Sequence, residues 1–216
     1  MARPKKPLIS RKATLEAALK IIDEEGLDAL TIRRLGEDLN VRGISLYHHF
    51  KNKEEILIGA CELALSPVRT PNTTETDFPT WVLHNAMKYH RALCEHPNLI
   101  PVLTRRHPLR IGIKEINSTM GLLSVLGVPN EAIMALMGGL EQLALGSATY
   151  HQAVAADVGS EEFDNEYPIL HQLAKTDAPS RDGLFELMAR ATIDAIIAKY
   201  SIDVGKFPAR KLAGLS

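Results

Sequence analysis

Cysteine is scarce in this chain of 216 residues: there are two, Cys61 and Cys94. Neither belongs to a CxxC pair, so they build no disulfide framework and no zinc-ligand spacing. The expectation is two small, half-buried hydrophobes in a reducing compartment. Long apolar runs are missing too, and none approaches the ~20 residues that span a bilayer. The basic opening, Met1-Ala2-Arg3-Pro4-Lys5-Lys6-Pro7, leads into no signal-peptide core. A cytoplasmic protein with no membrane partner is expected. No stretch alternates with period two and no segment repeats, which excludes a sheet-based fold. Nucleophile elbows, paired-histidine metal motifs and glycine phosphate loops are all absent. Nothing therefore calls for an enzyme, a metal or a cofactor.

What is present is helix. Apolar residues make up 45% and charged residues 24% of the chain, enough to bury a core. The net charge is only −1, but it is unevenly placed. Arg3, Lys5, Lys6, Arg11 and Lys12 all precede the first acid, Glu16. Such an arm suits phosphates or a minor groove.

Residues 11 to 25 are predicted to form a helix, with Leu15, Ala18, Leu19 and Ile22 as its stripe, Ser10 as N-cap and Gly26 as its stop. A second helix starts at Thr31, a capping hydroxyl, with Leu30 and Leu35 placed as a hydrophobic staple. Asn40-Val41 breaks it after barely two turns. A third short helix, about Gly43 to His49, carries Leu46 and Phe50. A fourth starts at Asn52, with Glu55 as its capping-box partner. Two short helices joined by a tight turn and braced on either side match a helix-turn-helix module. Residues 66 to 79 are rich in turn formers and mark the best boundary. This divides the chain into a DNA-binding part, 1–64, and a second helical part, 65–216.

The second part is predicted to hold helices over 80–95, 100–106, 111–126, 130–153 and 181–200. The last two are apolar on more than one face, so each must be covered on two sides. Gly138, Gly139, Ala144, Gly146 and Ala148 permit close helix approach. A four-helix bundle formed by two subunits explains both features. The fold class is all-α.

On the third helix, 100° per residue sends Leu46 and Phe50 inward, Ile44, Ser45 and His48 outward, and Tyr47 to the edge. Arg42 and Gly43 sit where the helix would enter a groove. Arg33 is long enough to reach a guanine edge or a phosphate. Lys53 lies in the first turn of the fourth helix, where the dipole disfavours a cation unless a phosphate binds there.

The run Thr31-Ile32-Arg33-Arg34-Leu35-Gly36-Glu37-Asp38-Leu39-Asn40-Val41, with Ser45-Leu46-Tyr47-His48-His49-Phe50-Lys51-Asn52-Lys53-Glu54-Glu55-Ile56-Leu57, resembles the DNA-binding domain of the TetR family. In Tyr-x-His-x-Lys-Asn-Lys it resembles the tetracycline repressor's subgroup. The resemblance implies DNA contacts at Ser45, Tyr47, His48 and Lys53, with Thr31, Arg33 and Arg42 on flanking elements. Gly43-Ile44 departs from the polar pair common in the family.

The resemblance also implies a small-molecule effector bound between helices of 65–216. The candidates there are Trp81, His84, Arg105, Asn117, Met137, Glu141, Gln142 and His151. Arg106, Arg110 and His107 beside Arg105 suit an acidic effector. The expected function is a homodimeric regulator, most simply a repressor, released from a near-palindromic double-stranded operator by an effector. Two rivals are a helix-turn-helix protein governed by a partner protein, and an all-α enzyme using His151 with Glu141.

Overall fold

Ser10 opens the first helix as its sequence position requires: its backbone is extended and its hydroxyl accepts from the Ala13 amide at 3.1 Å. The computed structural model describes residues 10–69, 77–105, 111–154, 167–169, 172 and 179–206, with backbone alone at 69, 105, 151–154 and 206. Regular structure there is entirely helical. The α-helices are α1 Arg11–Glu25, α2 Ile32–Asp38, α3 Lys53–Ala64, α4 Phe78–Glu95, α5 Ile100–Arg105, α6 Ile113–Val125, α7 Asn130–Val154 and α8 Arg181–Tyr200. Gly43–His48 is a 3-10 helix. Among the described residues no helix is long and apolar enough to cross a membrane.

By contact the chain divides into two units. One joins Met1–Arg69 with Glu95–Ile116, and the other joins Thr70–Cys94 with Asn117–Ser216. In the first, α1 lies along α3 and α2 against the 3-10 helix. Its core is Ala18, Ile21, Ile22, Leu30, Leu35, Leu46, Phe50, Ile56 and Ala60. Each large apolar side chain buried in this way contributes about 1.5–3 kcal/mol. The α1 stripe is centred on Thr14, Ala17, Ala18, Ile21 and Ile22, one residue from the expected one, with Leu15 and Leu19 at its half-buried edge. Leu30 and Leu35 are both buried, as a staple requires.

The end of α1 is held by chain that returns much later. Asn98 Nδ2 donates to the carbonyls of Ile22 at 2.8 Å and Asp23 at 3.3 Å, and His96 Nδ1 lies 2.9 Å from Asp23 Oδ2. A helix end leaves such carbonyls without internal partners, so this contact completes α1.

In the second unit α7 lies along α8. Ala132, Ile133, Leu136, Leu140, Ala144 and Ala148 of α7 are buried, as are Phe185, Ala189 and Ile193 of α8. The glycines of α7 are not needed for packing among the described residues. A Cβ on Gly139 would meet Thr192 at an ordinary 3.7 Å, and one on Gly138 or Gly146 would meet nothing within 4 Å.

The start of α4 differs from expectation. It begins at Phe78, with Pro79 in its first turn, where a missing amide costs nothing. Asp77 stands at the start, accepting from the Thr80 amide at 2.8 Å and the Thr80 hydroxyl at 3.0 Å. Phe78 and Pro79 thus belong to the helix rather than to the turn-rich boundary.

Candidate nucleic-acid interface and effector region

The turn of the helix-turn-helix is set by two residues after α2. Asn40 takes a left-handed backbone, φ 53°. The Asn40 amide reaches Glu37 O at 3.2 Å and the Val41 amide reaches Gly36 O at 2.8 Å. This is the paired closure of a Schellman motif, with asparagine in the place glycine most often takes. Two glycines let the next element approach. A Cβ on Gly36 would lie 2.9 Å from Val41 O, and one on Gly43 would lie 2.9 Å from Ile32 Cγ2. The clearance Gly43 supplies is therefore toward its own α2, not only toward a groove.

The reading element is tighter than the expected α-helix, and this changes what faces outward. At three residues per turn Ile44 and Tyr47 eclipse each other. Ile44 is 74% exposed and Tyr47 48%, while Leu46 is fully buried. Tyr47 therefore joins the outward face instead of its edge. His48 is exposed and Ser45 and Gly43 are half-buried. Phe50 is buried beneath, as expected.

Both flanking helices are capped as predicted. Thr31 Oγ1 accepts from the Arg34 amide at 3.0 Å, and Asn52 Oδ1 from the Glu55 amide at 2.8 Å. Glu55 reaches back one residue beyond the usual box, accepting from the Lys51 amide at 2.7 Å. That bond, followed by the Arg11 contact, holds its carboxyl below the usual carboxylate range. Arg33, Arg42 and Lys53 are all exposed. Arg33 lies against Glu37 at 2.8 Å, a one-turn pair that water screens and a phosphate can displace.

Arg11 has a different job from the one its place in the basic arm suggests. Its guanidinium donates to His49 O at 2.9 Å, pairs with Glu55 at 2.9 Å and sits 4.5 Å over the Phe50 ring. It pins the end of the reading element to α1 and α3. Arg34 does the same for α2, with a two-pronged contact to Glu25 at 2.6 to 3.2 Å. Neither role is visible in the sequence, because the partners lie 9 to 44 residues away. Arg3, Lys5 and Lys6 lie outside the described residues.

Of the effector candidates, Trp81 is buried, with Nε1 lacking any hydrogen-bond partner among the described residues. Met137 and Glu141 are half-buried, and His84, Asn117 and Gln142 are exposed. Arg106, His107 and Arg110 lie outside the described residues, as do the side chains of Arg105 and His151. Burial raises the Glu141 carboxyl toward its neutral form. Burial, then the Glu141 charge, raises the neighbouring Tyr89 phenol.

The residue that sequence reasoning missed is His90. It is fully buried and stacked on Phe185 at 4.0 Å, 3° from parallel. Nε2 lies 3.0 Å from Ser147 Oγ and 3.4 Å from Cys94 Sγ, and Nδ1 is 3.7 Å from Asp182 Oδ1. Burial lowers its affinity for a proton; Asp182 opposes that shift, and Arg181 and Arg91 reinforce it. The signal was available: Leu83, Met87, His90 and Cys94 form one stripe at i, i+4, i+7 and i+11.

Comparison with known proteins agrees with this geometry. Residues 15–60 match the family described as bacterial regulatory proteins, tetR family. The chain is 28% identical over 152 residues to the tetracycline repressor protein class C of Escherichia coli, covering 69% of each. It is 25% identical over 190 residues to the class A repressor from transposon 1721, also from Escherichia coli, covering 84% of this chain and 88% of that one. Among solved structures, apo ActR from Streptomyces coelicolor superposes with a TM-score of 0.70 at 24% identity, covering 91% and 98%. TetR from Acinetobacter baumannii AYE does so with 0.67 at 23%, covering 89% and 98%. The fold is that of these regulators, and the reading element, its two capped flanks and the matched sequence coincide on one segment. Residues 15–60 carry the DNA-binding module of the tetR family of bacterial regulatory proteins, and most of the chain is similar in sequence to tetracycline repressors.

Proposed function

We propose that this protein is a cytoplasmic homodimeric repressor that leaves a palindromic operator when a small molecule binds. The observation that carries the reading is the outward face of Ile44, Tyr47 and His48, set between the Thr31 hydroxyl and the start of α3 at Lys53. Ile44 can touch a thymine methyl, and Tyr47 and His48 offer donors and acceptors to base edges or phosphates. Thr31, Arg33, Arg42 and Lys53 hold the backbone, and Ser45 and Gly43 sit at the closest approach. The functional division is a reading head in 1–64 and sensing and pairing in 65–216.

Pairing rests on uncovered apolar surface. On α8, Leu184 and Leu187 are exposed, as are Ala191, Ala195 and Ala198 on the same side. Met134 on α7 is exposed too. A second copy covering these helices aligns two heads on half-sites about 34–36 Å apart. An effector that changes that spacing weakens both contacts together.

Relatives bear names that suggest the effector's class. ActR has been solved in complex with actinorhodin, and a TetR variant from Acinetobacter baumannii in complex with minocycline. For this chain we propose a polycyclic effector rich in oxygen acceptors. Trp81 Nε1 and the Tyr89 hydroxyl are donors, and burial shifts the Glu141 carboxyl in the direction of its protonated form.

The test uses the full chain and duplexes from the DNA flanking its own gene. Tight binding that Tyr47→Ala weakens without loss of helicity supports the reading, and unchanged affinity in that variant rejects it. Minocycline or actinorhodin at about 100 times its Kd should stabilise the fold by about 2.7 kcal/mol. No shift with either rejects the effector class and leaves the DNA reading standing.

A further inference from the structure

The two cysteines have unlike surroundings. Cys61 is fully buried in α3, whereas Cys94 is half-buried in the last turn of α4. Cys94 Sγ lies 3.4 Å from Nε2 of His90, one turn earlier on the same helix. His90 has no exposed surface, and its Nδ1 has no hydrogen-bond partner among the described residues. The stack on Phe185 fixes the ring, so its other nitrogen is aimed at the thiol. Ser147 Oγ shares that nitrogen at 3.0 Å. The charged groups around the ring are Asp182, 3.7 Å from Nδ1, with Arg91 and Arg181.

Burial keeps His90 neutral. The pair is thus a thiol beside a neutral imidazole, a nucleophile with a base within reach.

We infer that Cys94 is a covalent acceptor for soft electrophiles of the α,β-unsaturated carbonyl class, with His90 taking the thiol proton. The sulfur electron pair forms a C–S bond to the β-carbon, and the C=C π pair shifts to give an enolate. The proton leaves sulfur for Nε2 and then passes to the α-carbon. One thiol and one alkene become one thioether, with no oxidant or reductant. While the ring carries the proton, Asp182 faces its Nδ1–H.

The test treats reduced full-length protein with N-ethylmaleimide and follows intact mass and peptide maps over time. The first adduct should be at Cys94, with Cys61 unreacted until the protein unfolds. His90→Gln should slow that adduct about tenfold at neutral pH, at or below the low end of what a positioned base contributes. It should also remove the fall in rate that the wild type shows as His90 protonates. Ser147→Ala takes away the competing hydroxyl and should speed the reaction, which keeps the inference testable if His90→Gln fails to fold. Cys61 reacting first, His90→Gln reacting at the wild-type rate, or Ser147→Ala leaving the rate unchanged would each overturn it.

Discussion

The two units differ in how completely one chain satisfies them. In the reading head, helix starts are capped by Ser10, Thr31 and Asn52, the α2 end is closed by Asn40 and Val41, and Arg11 and Arg34 fasten the elements together. Asp23 Oδ1 is the buried side-chain atom left without a partner among the described residues there. In the second unit Trp81 Nε1 and His90 Nδ1 are left so. Leucines stand exposed on α8 as well. A region finished within one chain is suited to present a fixed surface. A region with unmet donors and bare apolar faces is suited to be completed by something else.

The comparison breaks first at α8. Leu187, 61% exposed, costs nothing to charge if its face meets water. If a second copy covers it, Leu187→Arg buries an unpaired cation, a penalty of several kcal/mol. Sedimentation should then find monomer in place of dimer, and operator affinity should fall by about a hundredfold or more, since several kcal/mol is at least two decades. A dimer of unchanged strength would remove the pairing role from α8.

Next in size is Gly43. A methyl group there is pressed to 2.9 Å from Ile32, so Gly43→Ala should cost about 1–3 kcal/mol in thermal or denaturant unfolding. Gly121→Ala, on the open surface of α6, should instead gain about 0.5–1 kcal/mol. Equal effects at the two glycines would mean the head is looser than its packing implies.

Lys53→Ala should weaken specific and non-specific duplexes alike. In the proposed dimer it removes two cations, so the slope of log affinity against log salt should become shallower by about 2. An unchanged slope would take Lys53 off the phosphates.

The smallest effect is a pH dependence. His90 binds a proton less readily folded than unfolded, so its contribution to stability is complete above the unfolded value of 6.5. It is lost as pH falls from there through the lowered folded value. Melting temperature should decline over that window, and His90→Gln should flatten the decline. An identical decline in the variant would assign it to other groups.

Local features were the legible ones. Ser10, Thr31 and Asn52 could be read as caps, and Leu46 and Phe50 as anchors, because each depends on neighbours within four residues. The 3-10 form of Gly43–His48 could not, since it follows from how closely Gly36 and Gly43 let that segment approach α2. Arg11 was misread for the same reason: its partner Glu55 is 44 positions away. In the second unit the stripe of Leu83, Met87, His90 and Cys94 was readable as well. The exposure of Gln142 and Asn117 depended on tertiary packing that no local pattern records.

The chain passes between its two units at 69/70, 94/95 and 116/117. A head joined by one linker can be exchanged by one recombination event, but this one cannot. Transplanting residues 1–69 onto another sensor would leave the Ile22 and Asp23 carbonyls without Asn98. Any functional chimera must carry 95–116 along with the head, or find a host whose own returning segment fits the end of α1. Specificity for DNA and the piece of chain that steadies it are therefore inherited together.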